Sequence, residues 1–178
     1  MHRNRRAVRA SSFVLALLAL SGCYSTAIPV IEKGDWAPLA GEYECSKAIA
    51  GGTEIVKYTE EKSGFFWPEY MYVDAEGAET KLAEMDDGLM LVQRHTKDDG
   101  FNYAYIDFTG DDSFILSVAS VMEKKPYVDA LAREHSVTTG SGKEPGEIAL
   151  SGDQGDILDF LMAHDKSMLS AFMSCKRL

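Results

Sequence analysis

Beyond residue 38 the chain alternates between apolar runs of strand length and short polar breaks. Glu76-Gly77, Asp87-Gly88, Asp99-Gly100 and Gly110-Asp111 recur about every eleven residues, and such pairs tolerate the positive φ that tight hairpins need. The runs between them predict strands over residues 89–96, 101–109 and 114–121. Gly51-Gly52 predicts an earlier hairpin joining 41–49 to 54–61. Within 101–109, Phe101, Tyr103, Tyr105 and Asp107 share one face while Ala104, Ile106 and Phe108 share the other. Both faces are largely apolar, which places this strand centrally or in the wall of a closed barrel.

Ile157, Phe160, Leu161 and His164 recur at helical spacing behind the capping candidates Ser151 and Asp153, and predict a helix over 154–164. Residues 127–135 fit two patterns. Val128, Leu131 and Ala132 suit a helix after Pro126, whereas the meander rhythm asks for a strand, and the strand is the expectation adopted. A final strand over 171–176 completes the pattern. The expected fold is β-rich (α+β): an antiparallel meander forming a small barrel or sandwich, with one C-terminal helix, in a single domain over residues 39–178. Ile28-Pro29, Gly34-Asp35 and Ala37-Pro38 interrupt any period before it, so residues 23–38 are expected to be a tether.

The amino terminus follows a different rule. Arg3, Arg5, Arg6 and Arg9 precede an apolar run from Phe13 to Leu20, and no acidic residue occurs before Glu32. Eight apolar residues in a helix rise about 12 Å, too little for a hydrocarbon core of about 30 Å, so the run reads as a secretory signal. The run ends in Leu20-Ser21-Gly22-Cys23, which resembles the lipobox of bacterial lipoproteins: an aliphatic residue, two small ones and Cys. That resemblance implies removal of residues 1–22 and acylation of Cys23. Tyr24 in the following position implies sorting to the outer membrane, with the domain in the periplasm.

Composition sharpens this reading. The chain has 178 residues, 46% hydrophobic and 26% charged, an ordinary globular balance. Four of its 18 basic side chains lie in the signal, leaving 14 against 28 acidic ones, a net of −14 for the processed chain. Such a surplus repels phosphates and argues against nucleic acid as a partner. With Cys23 given to lipid, Cys45 and Cys175 remain as an even pair in an oxidising compartment and are expected to form a disulfide.

Motifs for chemistry are sparse. His95, His135 and His164 are far apart and no HExxH occurs. Asp86-Asp87-Gly88 and Asp98-Asp99-Gly100 lack the continuation of a calcium loop. Gly140-Ser141-Gly142 lies in a polar stretch rather than at a strand-to-helix elbow, and Gly142-Lys143 has Val137 and Glu144 where a phosphate loop needs Gly and Ser or Thr. No catalytic residue, metal site or cofactor is therefore assigned. The segment Phe65-Phe66-Trp67-Pro68-Glu69-Tyr70-Met71-Tyr72 stands out. It reads either as a rim offering aromatic faces to a ligand or partner, or as a core strand or plug. Phe65, Phe66, Trp67, Tyr70 and Tyr72 are its candidate contacts.

The expected role is a lipid-anchored envelope protein whose non-catalytic domain binds an envelope protein or a small apolar ligand. Two other readings stand beside it. Tyr43-Glu44-Cys45, with the acidic charge and the lipobox, is loosely similar to membrane-bound inhibitors of c-type lysozyme, although their Ser-Gly-x-x-Tyr loop is absent. An envelope hydrolase with a triad assembled from distant positions would leave no short motif.

Overall fold

The computed structural model describes residues 24–48, 51–96, 100–144 and 146–178. The expected signal at 1–22 and the lipidation position Cys23 lie outside the described residues. Eleven strands are described: β1 (Tyr24–Thr26), β2 (Gly41–Lys47), β3 (Thr53–Ser63), β4 (Glu69–Asp74), β5 (Glu79–Glu84), β6 (Leu89–Thr96), β7 (Gly100–Gly110), β8 (Ser113–Ala119), β9 (Thr138–Ser141), β10 (Ile148–Ser151) and β11 (Leu169–Arg177). Two helices, α1 (Val121–Glu134) and α2 (Gln154–Met162), lie between β8 and β11.

Strands β2 to β8 form an antiparallel meander that β11 closes by pairing with both β2 and β8, while β6 pairs with β7. The result is a closed eight-stranded barrel. Alternation sends Met90, Val92, Ala104 and Ile106 into one buried cluster with Tyr43, Cys45, Tyr72, Leu82 and Phe114. Leu89, Leu91, Tyr103 and Tyr105 point the other way, into a second cluster with α1, α2 and β1. This second layer explains why the β7 sequence is apolar on both faces. Cys45 and Cys175 face each other in register across β2 and β11, 4.0 Å apart between Cα atoms, and form a disulfide.

Of residues 127–135, all but the C-cap His135 are helical, which corrects the expected strand and adds a second helix to the expected one. Val128, Leu131 and Ala132 lie on one face of α1 and bury against the outer layer. A break at Lys124 (φ −111°, ψ 17°) lets the helix carry Pro126, whose ring and missing N–H would disrupt a continuous ladder. Alternation continues to govern the barrel itself, where α1 has no place. Helix α2 starts as expected, with the Asp153 carboxylate accepting from the Gly155 N–H at 2.9 Å.

Residues 24–38 are packed rather than extended as a tether. β1 pairs antiparallel with the start of β7 and parallel with β10. The chain then crosses the outside of the barrel, where Gln93 on β6 holds it: its Oε1 accepts from Val30 N–H (2.7 Å) and Ile31 N–H (2.8 Å), and its Nε2 donates to the Ile31 carbonyl (3.1 Å). β4 and β5 pair over only two registered positions, and the strap fills the gap beside them: Tyr70 N–H donates to Gly34 and Asp35 N–H to Leu82. A Cβ at position 34 would overlap the Tyr70 carbonyl oxygen, so this crossing requires glycine. Ala37 and Leu39 then join the barrel's interior cluster. Pro29, Gly34 and Pro38 break the periodicity without freeing the chain, because Val30, Ile31 and Ala37 among them are buried, although Trp36 stays exposed.

Candidate functional site

The β3–β4 hairpin projects the aromatic segment. Pairing ends at Ser63↔Glu69, and Gly64 turns the chain at φ +78°, where a Cβ would meet the Trp67 carbonyl. Phe65, Phe66 and Trp67 stand at the tip with 92%, 83% and 81% of their surface exposed. The two phenyl rings meet edge to face at 5.1 Å. Isolated exposed apolar residues are common, but three consecutive exposed aromatics on a fixed turn form a patch.

The five candidate contacts separate here. Phe65, Phe66 and Trp67 share the tip, so for these three the core or plug reading is set aside. Tyr70 is half-buried, with the Lys62 ammonium 5.3 Å from its ring centre. Tyr72 is a core residue: its ring is fully buried, its hydroxyl donates to the Ala37 carbonyl (2.6 Å) and accepts from the Ala37 N–H (2.8 Å), and burial pushes its ionisation up. It is therefore not exposed to contact a partner. Tyr70 and Tyr72 share one face of β4 and pack on the same interior cluster, so they differ in depth rather than in side, while exposure of the tip depends on where Gly64 turns the chain.

His164 shows the most shifted imidazole. It is 3% exposed, with Nδ1–H donating to the Phe160 carbonyl and Nε2 accepting from the Tyr24 hydroxyl, each at 3.0 Å. Burial pushes it down to about 4, so the ring is neutral and fastens β1 to α2. Burial also raises the Tyr24 hydroxyl. Both groups are buried. Among the described residues no cluster of three or more His, Cys, Asp or Glu side chains is placed to hold a metal.

A concavity not expected from sequence lies between α1 and the β9–β10 hairpin. It encloses about 800 Å³ over Val121, Val128 and Ile148, with Lys125 and Asp129 on one side and residues 139–144 on the other. Glu147 closes its end. Burial works to raise that carboxyl, but hydrogen bonds from Ser25 and from the Glu144 and Lys143 backbone outweigh it, and the group sits below the usual carboxylate range. Gly140-Ser141-Gly142 reads as surface loop in sequence because β9 is four polar or small residues whose pairing partner is set by the tertiary fold.

The chain matches no protein-family model, no curated protein and no solved structure. Its site must therefore be argued from its own geometry. The barrel interior is occupied by Tyr43, Tyr72, Leu82 and Phe114, each at most 2% exposed, and Ala37 and Leu39 join them from the strap. Among the described residues, the exposed tip and the outer groove are two surfaces offered to other molecules.

Proposed function

We propose that this chain is an outer-membrane lipoprotein whose barrel is a binding module, presenting the Phe65-Phe66-Trp67 tip to a protein partner in the envelope. The exposure of three consecutive aromatics at a turn fixed by Gly64 carries this reading. Burying such side chains is worth about 1.5–3 kcal/mol each, so the tip can supply the central anchor of an interface. The packed interior favours a protein contact over a small apolar ligand held inside the barrel. Anchoring rests on Leu20-Ser21-Gly22-Cys23 and the preceding basic and apolar regions. The role is binding, with no catalytic residue assigned.

The test is photocrosslinking in cells from a photoreactive residue at Glu61, beside the tip. One defined partner should be captured by the wild-type lipoprotein. Replacing Phe65, Phe66 and Trp67 together by Ser should lower its yield at least about tenfold, since the loss of one anchor alone can cost that much. The thermal midpoint should stay within about 2 °C, because the replaced rings are exposed. Undiminished capture of that partner by the triple variant would remove the tip from the interface.

A further inference from the structure

The packing of β1 has a consequence for how an anchored chain would sit. Tyr24 is fully buried, meets Phe160 edge to face at 5.3 Å and hydrogen-bonds His164. Its backbone is in register with Tyr103 on β7 and with Ile148 on β10. Cys23 is its immediate neighbour in sequence, about 3.8 Å away between Cα atoms. No residue is left to act as a linker between the acylation position and the packed body. β8 takes the same edge of β7 from Tyr105 onward, and Glu147, which lines the groove, directly precedes Ile148, the parallel partner of Tyr24.

We infer that the barrel is held flush against the bilayer, with the wall formed by α1 and the β9–β10 hairpin facing the lipid headgroups and the aromatic tip on the far side. This orientation rests on acylation of Cys23. A flexible linker of about 15 residues would let the domain wander roughly 20 Å, whereas here the residue after the attachment point is already packed in β1. Charge permits the approach: residues 121–148, which build this wall, carry four basic and five acidic side chains, while the processed chain carries a net −14. The groove over Val121, Val128 and Ile148 opens on the same wall and offers apolar surface to the interface. Around the ring, β3 is four strands from β7 in either direction, across a barrel roughly 16 Å wide between backbones. The hairpin that carries Phe65–Trp67 thus rises from the opposite wall, free to meet a partner while the lipid is embedded.

The test uses the full-length acylated protein in phosphatidylcholine vesicles containing headgroup-spin-labelled phosphatidylcholine. Ser141→Cys and Phe66→Cys each introduce a single free thiol for the same fluorophore, since the native cysteines are acylated or paired. Quenching at position 141 should exceed that at position 66 at least about threefold, and insertion of about 15 Gly-Ser residues between Cys23 and Tyr24 should abolish the difference. Equal quenching, stronger quenching at 66, or a difference that survives the insertion would overturn the orientation while leaving the anchor intact. The intact mass of each preparation reads acylation separately, and an unacylated Cys23 would overturn the anchor itself and the orientation with it.

Discussion

His164 is a polar side chain in the position of a core residue, and the structure gives it a neutral role. Its ring accepts the Tyr24 hydroxyl and donates to the Phe160 carbonyl in the last turn of α2, so protonation would place a charge against a buried phenol and lose the acceptor. The sign follows from the depressed value. Above about pH 6.5 the imidazole is neutral in both states, and between about 6.5 and about 4 the unfolded chain takes up a proton that the folded one refuses. Stability is therefore lost as pH falls through this window, by about 2 kcal/mol at pH 5 from this group alone. Urea midpoints at pH 7 and pH 5 should show a larger drop for the wild type than for His164→Gln; equal drops would reject the assignment. The i+7 spacing from Ile157 placed His164 on the buried side, although α2 ends at Met162, two residues short of the expected helix, and His164 follows it. Its partner, 140 residues away, could come only from the fold.

At the scale of elements, local pattern sufficed for the long strands β6 and β7, each bounded by turn pairs. β6 begins and ends where its apolar run does, and β7 extends the expected run by one residue at each end. It did not suffice for β1, β9 and β10, which are three or four residues long and gain their geometry from β7 and from one another. Nor did it choose for α1, because a stretch with Pro126 and a buried helical face also fits a meander's timing. The strap from 27 to 35 is the clearest case: its pattern is that of a linker, and one glutamine on β6 makes it structure. Gln93→Leu would leave the Val30 and Ile31 N–H groups buried without that acceptor, at about 1–3 kcal/mol each. Limited proteolysis should then cut between residues 27 and 34 at a protease level that spares the wild type. Unchanged resistance would show that the strap is held by its apolar side chains instead.

The whole molecule is a barrel whose first and last staves are neighbours. β2 and β11 share an edge and a disulfide, joining positions 130 apart in sequence. Removing both cysteines, as Cys45→Ala with Cys175→Ala, should cost about 2–5 kcal/mol, read as a lower urea midpoint; an unchanged midpoint would make the bond incidental to stability. The candidate contact surface was legible in sequence as an aromatic cluster, but its division into exposed tip and buried wall was not, since Phe66 and Tyr72 belong to the same run and differ only in which side of Pro68 they occupy. The position of β11 also sets an order of events. A chain being made from its amino terminus can assemble β2 through β8 as an open sheet, yet both outer edges stay raw until the final nine-residue strand arrives between them. Completion must wait for β11 itself, so a molecule cut short before that strand would keep two unsatisfied borders and a lone thiol, inviting self-association in place of closure.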